Sequence, residues 1–464
     1  MRLRIRPGSA VGGHARVPGD KSIAHRWLIL ASTARGRSRL AGMPGGLDVR
    51  STAACMAVLA PKPRPALETW LHLHRDRGAD ERQGRGFTWN LNAGENPPDA
   101  STLDLVLEGD GRNALVEPPK RLDCENSGTT LRLLTGLLAP APFTSLLAGD
   151  ASLNARPMER IAEPLRAMGA VIDTTDGHPP VRVDPVGELH GITWEDGTPS
   201  AQVKSAILLA GTAASGSTTV VEPVTTRDHT ERALQALGGP VRIEGRSVTV
   251  EAFQHQGFSG TVPGDPSSAA FLVAAAALTG AELHIEGVGL NPTRTRFLAV
   301  MERMGIPLTT ELDGEEVGEP VGAIHVGRAG ALRATTVDVD ELPLVIDEVP
   351  VLAAVAAHAD GVTRFRGAGE LKVKESDRLS AVVEGLRGLG GDAEVEDEDL
   401  AVTGGGLPGG NAGSGGDHRI GMAFVVAALA ASGTSEVEGI EHTEVSFPGF
   451  APALGALGAD LEEA

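Results

Sequence analysis

Five short segments join charged or hydroxyl side chains to the start of a helix-forming run. They are Asp20-Lys21-Ser22 with Arg26, Asn126-Ser127-Gly128-Thr129-Thr130 with Arg132, Ser200-Ala201-Gln202-Val203-Lys204, Lys374-Glu375-Ser376-Asp377-Arg378, and Asp417-His418-Arg419. A helix N-terminus offers free backbone N–H groups and a partial positive charge, so it attracts anions. Lys and Arg at the same place strengthen a phosphate or carboxylate site. Five such entrances in one acidic chain point to a small ligand bearing several negative charges. Plainer readings stand beside this one. Asp20 and Ser200 are good N-caps in their own right, and Lys374, Glu375 and Arg378 have the spacing of a solvated helix face. Asp347-Glu348 is harder to dismiss, because it lies between Leu344-Val345-Ile346 and Val349-Pro350. Carboxylates inside an apolar stretch need partners or a chemical task.

The bulk composition narrows the partners. The net charge is −20, from 41 basic and 61 acidic residues. A phosphate backbone calls for a basic face, so nucleic acid is an unfavourable partner. Aromatic residues make up 3%, with no tyrosine, which leaves little for base stacking. Cys55 and Cys124 lie far apart in sequence, form no CxxC pair, and read as buried small hydrophobes in a reducing compartment. The basic start, Met1 to Arg6, has no apolar segment behind it and does not read as a secretory signal; a cytoplasmic protein is expected. The alanine-rich runs at 269–278 and 422–431 are too short to span a membrane and read as buried helices. His72 and His74 lack an obvious third ligand and read as a solvated strand or loop face, so no metal is expected. Gly404-Gly405-Gly406-Leu407-Pro408-Gly409 matches G-x-G-x-x-G, but Pro408 sits where a helix would open, so the segment reads as a loop.

The elements that must position these residues repeat. Val17-Pro18-Gly19-Asp20 returns as Val262-Pro263-Gly264-Asp265, each copy running into a helix-forming stretch. The first continues with charge and hydroxyl, the second with Pro266-Ser267-Ser268-Ala269-Ala270, so one copy looks chemical and the other structural. A second repeat places two apolar residues three apart before a glycine: Leu165, Met168, Gly169; Leu234, Leu237, Gly238; Met301, Met304, Gly305; Leu386, Leu389, Gly390; Leu454, Leu457, Gly458. This is a helix closing on a left-handed glycine. After Gly238, residues 241–244 and 247–250 alternate around Gly245-Arg246 and read as paired strands. At 464 residues the chain exceeds one ordinary core. The reading is two α/β halves of about three helix-plus-strand units each. Residues 61–99 lack the unit pattern and read largely as a surface excursion.

Taken together, the segments resemble 5-enolpyruvylshikimate-3-phosphate synthase. The resemblance rests on Val17 to Ser22, Asn126 to Thr130, Gly149-Asp150-Ala151-Ser152-Leu153 with Arg156-Pro157-Met158, Ser200 to Ser205, Thr226-Arg227-Asp228-His229-Thr230-Glu231, Ile346-Asp347-Glu348, Lys372 to Arg378, Asp417-His418-Arg419 and Ser446-Phe447-Pro448. Each motif alone is modest; nine in the family's order, spread over nearly the whole chain, are specific. The resemblance implies a two-domain inside-out α/β barrel, the enolpyruvyl transferase fold, with three βαβαββ units per domain. It implies one domain from residues 20–262, a second from 1–19 and 263–464, and hinges near 17–21 and 260–265.

The implied reaction moves the enolpyruvyl group of phosphoenolpyruvate to the 5-hydroxyl of shikimate 3-phosphate and releases phosphate, with no metal or organic cofactor, in a monomer. By the same resemblance, Lys21, Ser22, Arg26, Ser200, Ala201 (through its backbone), Gln202, Arg227, Asp347 and Lys374 hold shikimate 3-phosphate. Lys21, Gly128, Arg156, Gln202, Arg378 and Arg419 hold phosphoenolpyruvate. Asp347 and Glu375 are the acids at the reacting centre, Asp347 as base on the hydroxyl and Glu375 as acid to carbon. Two acids with separated pKa values would suit those roles. The resemblance also implies Lys21 as a catalytic group that protonates the leaving phosphate.

Four positions depart from the family pattern: Glu125 where a Gly is usual, Leu47-Asp48 for a pair of acids, Val445 for a Lys found in one branch, and the long 61–99 segment. Gly128 keeps the small residue linked in the family to glyphosate sensitivity. Two alternatives are a UDP-N-acetylglucosamine enolpyruvyl transferase, which typically carries a Cys in the loop that here reads Gly149 to Ser152, and a non-catalytic paralogue, which would have no need of a carbon acid.

Overall fold

The computed structural model describes residues 1–81 and 104–464, with side chains left aside for 75–81. Among the described residues the strands form six small sheets. Four share one plan. A hairpin lies against a central strand, and a fourth strand joins the other side of that central strand in parallel. In one, Val241–Glu244 and Ser247–Glu251 form the hairpin, Ser217–Val221 is central, and Thr193–Glu195 runs parallel to it. The helices Ala201–Gly211 and His229–Ala236 fall between these strands in sequence, giving β-α-β-α-β-β. Each unit buries one sheet face against helices, because its strands alternate buried and exposed residues.

Helix closure follows the sequence pattern. Gly169, Gly238, Gly305, Gly390 and Gly458 all have positive φ, between 81° and 111°. Nine of the ten apolar residues preceding them are buried, and Leu237 is half-buried. Four of the caps lead into a hairpin, while after Gly458 the strand Asp460–Glu463 pairs with Arg2–Arg6 at the other end of the chain.

Two hydrophobic cores result. One draws on residues 23–262, the other on residues 3–11 and 269–457. The alanine-rich helices Pro266–Leu278 and His418–Leu429 lie buried at the centre of the second. The strand Gly13–Arg16 belongs to a sheet of the second core, while Ser259–Thr261 belongs to a sheet of the first. The chain therefore crosses between cores just after each strand, and there the two Val-Pro-Gly-Asp copies lie side by side. Asp20 N donates to the Pro263 carbonyl at 2.7 Å and Asp265 N to the Pro18 carbonyl at 2.8 Å.

Three local expectations change. Residues 64–81 form the helix Arg64–Glu81 rather than an irregular excursion; residues 82–103 lie outside the described residues. His74 is buried on that helix, its Nδ1 bonded to the Trp70 carbonyl at 2.8 Å, because the helix packs on Leu47–Leu59. Cys55 and Cys124 are both buried and free as expected, but they meet. A hydrogen bond with Cys55, with burial second, pushes the Cys124 thiol well above its ordinary value. The glycine-rich segment at 404–409 is a loop leading to the strand Asn411–Gly413, with no helix opening from it. No helix among the described residues is long and apolar enough to cross a membrane.

Candidate active site

All five sequence-read entrances are helix starts, each with a side-chain cap. Asp20, Ser127, Ser200, Asp377 and Asp417 accept from the backbone N–H groups of Lys21–Thr33, Gly128–Leu138, Ala201–Gly211, Arg378–Gly388 and His418–Leu429 respectively. The plainer reading of Asp20 and Ser200 as N-caps is thus met, and the caps leave the adjoining charged side chains to face one another.

On the first-domain side, Lys21 Nζ donates to Asp48 Oδ2 at 2.9 Å, with both side chains largely shielded. Arg26 is buried; its Nε donates to Thr230 Oγ1 at 2.7 Å, one terminal nitrogen to Ser205 Oγ at 2.7 Å and the other to the Ser22 carbonyl at 2.8 Å. Burial lowers its pKa to about 10. It therefore sits directly beneath the Ser22 turn. Arg132 Nη1 donates to Gln202 Oε1 at 2.6 Å, and Gln202 Nε2 to Thr129 Oγ1 at 2.9 Å. Arg156 Nη2 donates to Asn126 Oδ1 at 2.8 Å, and Asn126 in turn donates to Asp150 at 2.8 Å. A Cβ at Gly128 would stand 2.8 Å from Arg132 Nη1 and 3.2 Å from Arg156 Nη1, so a side chain here would push against both guanidinium ends.

On the second-domain side, Arg378 is fully buried among three carboxylates. Its Nε lies 2.8 Å from Asp417 Oδ2, Nη1 3.2 Å from Asp347 Oδ1, and Nη2 2.7 Å from Glu375 Oε2. Arg419 Nη1 donates to the Asp347 carbonyl at 3.1 Å, and its Nη2 lies 3.7 Å from Asp347 Oδ2. The two sides meet where Arg227 Nη2 pairs with Asp347 Oδ2 at 2.6 Å. The turn Ile440–Val445 reaches the start of Leu47–Leu59, with the Val445 carbonyl 2.6 Å from where a Cβ on Gly46 would lie.

The charges explain one another. Burial alone would raise Asp347, but Arg227, Arg419, Lys374 and Arg378 hold it well below the usual carboxylate range. Burial would also raise Glu375, yet Arg378, Lys21, His418 and Arg156 hold it well below. Burial lowers Lys374, an effect Asp347 partly offsets. Burial, then Lys21, push His418 down to about 3, so its imidazole is neutral. Both carboxylates are held toward the ionised form here, because each is ringed by cations.

Lys21, Arg156, Arg227, Arg378 and Arg419 thus converge around Asp347 and Glu375, with Ser22, Ser200, Ala201, Gln202, Gly128 and Lys374 on the elements that bound them. Three contributors escaped the site reading. Asp48 holds Lys21, Arg132 holds Gln202, and Asp417 holds Arg378 while capping its own helix. The signal for Arg132 and Asp417 was present in the helix-entrance motifs; Asp48 stands out in the sequence only within Leu47-Asp48, as a departure from the family pattern, and it falls in the first turn of Leu47–Leu59.

The fold built from these units is that of the enolpyruvyl transferases. A solved structure of an enolpyruvyl transferase from Streptomyces tendae matches all of this chain and 98% of its own with a TM-score of 0.72 at 19% identity, a likeness of fold. A solved EPSP synthase from Acinetobacter baumannii matches 99% of both chains with a TM-score of 0.81 at 38% identity. The family profile described as EPSP synthase (3-phosphoshikimate 1-carboxyvinyltransferase) matches residues 5–64 and 99–454, and the chain belongs to that family. A 3-phosphoshikimate 1-carboxyvinyltransferase from Halorhodospira halophila is 43% identical over 99% of this chain and 96% of its own length. One from Desulforudis audaxviator is 42% identical over 98% of this chain and 99% of its own. Family membership of this extent displaces both alternatives raised from the sequence.

Proposed function

We propose that this chain joins the 5-hydroxyl of shikimate 3-phosphate to the enolpyruvyl group of phosphoenolpyruvate and releases phosphate, with roles assigned to the residues as follows. Lys21, Ser22, Arg26, Ser200, Ala201, Gln202, Arg227, Asp347 and Lys374 hold shikimate 3-phosphate. Lys21, Gly128, Arg156, Gln202, Arg378 and Arg419 hold phosphoenolpyruvate. Residues 20–262 form one domain and 1–19 with 263–464 the other, hinged near 17–21 and 260–265. The observation that carries this reading is the ring of five cations, drawn from both domains, around Asp347 and Glu375.

In the reaction the hydroxyl oxygen bonds to the enol carbon bearing phosphate, and the methylene carbon takes up a proton. The carbon–oxygen bond to phosphate then breaks and the methyl group gives its proton back. Asp347, ionised and on the Arg227 side, accepts the hydroxyl proton. Glu375 supplies and retrieves the carbon proton. In the free protein its cations keep it ionised. Phosphoenolpyruvate brings anionic charge to Arg378, Lys21 and Arg156, relieving that hold, so Glu375 gains its proton on binding. Domain closure over the ligands excludes water and strengthens each contact. Both sides of the site come from one chain, which supports a monomer, and two adjacent free thiols support a reducing cytoplasm.

The test is phosphate release with each substrate alone and with both. Release is expected only with both substrates, to be inhibited by glyphosate, and to be lost in Lys21→Met. No release with both substrates present, or a Lys21→Met variant equal to wild type, rejects the reading.

A further inference from the structure

Away from the site, three strands carry a row of histidines. Gly13–Arg16 runs parallel to Leu283–Gly289 with His14 opposite His284, and Leu283–Gly289 runs antiparallel to Glu319–Val326 with His284 opposite His325. Leu283 and Ile285 on the middle strand are buried in the core, so His284 and Glu286, offset by one residue, belong to the outer face. The ring centroids stand 5.2 Å apart for His14 and His284, and 4.3 Å for His284 and His325. The row lines an open groove of about 620 Å³ with Glu282 and Thr309. No position in this row belongs to the site above.

We propose that this row binds a divalent transition cation of the zinc class. His14, His284 and Glu286 each offer one ligand atom, all within 4.8 Å of one another. Tetrahedral ligands on zinc lie about 3.4 Å apart, from bonds of about 2.1 Å. Small side-chain rotations therefore close the site. The atoms assign themselves: His284 Nε2 already stands 3.7 Å from Glu286 Oε1. His284 Nδ1 lies 2.9 Å from His325 Nδ1, so one of these nitrogens carries the proton and the other accepts it. With His284 as donor, His325 accepts at Nδ1 and carries its own proton on Nε2, which lies 3.8 Å from Glu311 Oε2. His325 is then the outer support that fixes a metal-binding imidazole and raises its basicity, with the Glu311 carboxylate near its far side. Arg16 competes for Glu286, but it uses the other oxygen, Oε2, at 3.1 Å. Imidazole with one carboxylate suits zinc, nickel or copper better than magnesium or calcium. The ion would tie Gly13–Arg16, the strand entering the first Val-Pro-Gly-Asp copy, to its neighbour.

The experiment uses the full chain stripped with a chelator, then titrated with Zn²⁺ by calorimetry and with Co²⁺ by visible absorption. One equivalent is expected in wild type, none at this site in His284→Ala or His14→Ala, and a roughly 10- to 100-fold weaker site in His325→Phe. The variants are expected to unfold at the wild-type temperature in chelator, since the row is on the surface. No saturable binding by wild type overturns the proposal. So does undiminished binding in the double variant His14→Ala/His284→Ala, which would place the metal on other surface groups.

Discussion

Glu125 is the residue where this chain pays for departing from its family's pattern. Its φ is +49°, in the left-handed region, and its carbonyl accepts from Asp150 N at 2.8 Å, so the turn ties the Asn126 motif to the Asp150 motif. A glycine adopts that conformation without the steric cost that a side chain brings. A non-glycine residue in this region costs roughly 1–2 kcal/mol. Glu125→Gly recovers that strain less about 0.5–1 kcal/mol of added chain entropy in the unfolded state, so urea unfolding should show a gain of no more than about 1.5 kcal/mol. The charge matters more for function: at low salt the variant's KM for phosphoenolpyruvate should fall a few-fold, and the gap should narrow as salt rises. An unchanged KM at low salt refutes the electrostatic part. At Glu375 the prediction concerns protons. Binding of phosphoenolpyruvate beside shikimate 3-phosphate should take up protons near neutral pH, seen as a binding enthalpy that changes with the buffer's ionisation enthalpy. Glu375→Gln should abolish that dependence and lower kcat by about 10²–10⁴-fold. If the buffer dependence persists in Glu375→Gln, another group takes the proton.

At the scale of elements, the two Val-Pro-Gly-Asp copies are joined by a residue outside both. Arg294 is buried with one terminal nitrogen on Asp20 and the other 2.8 Å from Asp265 Oδ1. Each aspartate also caps its own helix, so one guanidinium fixes both helix starts where the chain crosses between cores. Arg294→Met removes the shared ion-pair partner of two buried carboxylates and should cost about 3–5 kcal/mol in urea unfolding. Adding Asp20→Asn and Asp265→Asn should recover most of that loss, since charge rather than shape is then restored. A loss under about 1 kcal/mol in Arg294→Met, or no recovery in the triple variant, would show that the clasp carries little. The same comparison marks what a sequence can reveal. Caps, glycine closures, the 241–250 hairpin and the buried alanine helices were legible because each depends on neighbours a few residues away. Arg294, Asp48 and the His14–His284–His325 row were not, because their partners are set by which strands and helices the fold brings together. The two VPGD echoes were visible, but their shared clasp was not; nothing local to Pro292-Thr293-Arg294 hints at it.

For the whole molecule, the buried ionisable groups give acid stability a definite shape. His25 is buried, with Nδ1 bonded to Thr52 Oγ1 at 2.7 Å, and burial drives its pKa down to about 3, as it does for His418. At these two histidines the folded chain therefore binds fewer protons than the unfolded chain between about pH 6.5 and 3. The stability held by neutral His25 and His418 is complete above pH 6.5 and drains as pH falls toward 3. Burial would raise Asp20, but Arg294 and other cations bring it to about 2. Its contribution is complete above about pH 4 and is lost as pH falls through 2. The net charge of −20 works the other way, since protonating exposed carboxylates relieves self-repulsion. Absolute slopes therefore mix both effects, and the difference between wild type and variant is what isolates one group. In urea midpoints taken from pH 7 to 4, His25→Gln should lose less stability than wild type by up to about 1.4 kcal/mol per pH unit. Parallel curves for the two proteins across that range would mean that His25 is protonated or hydrated in the native state, and that the polar layer beneath Lys21 and Asp48 is wetter than this packing allows.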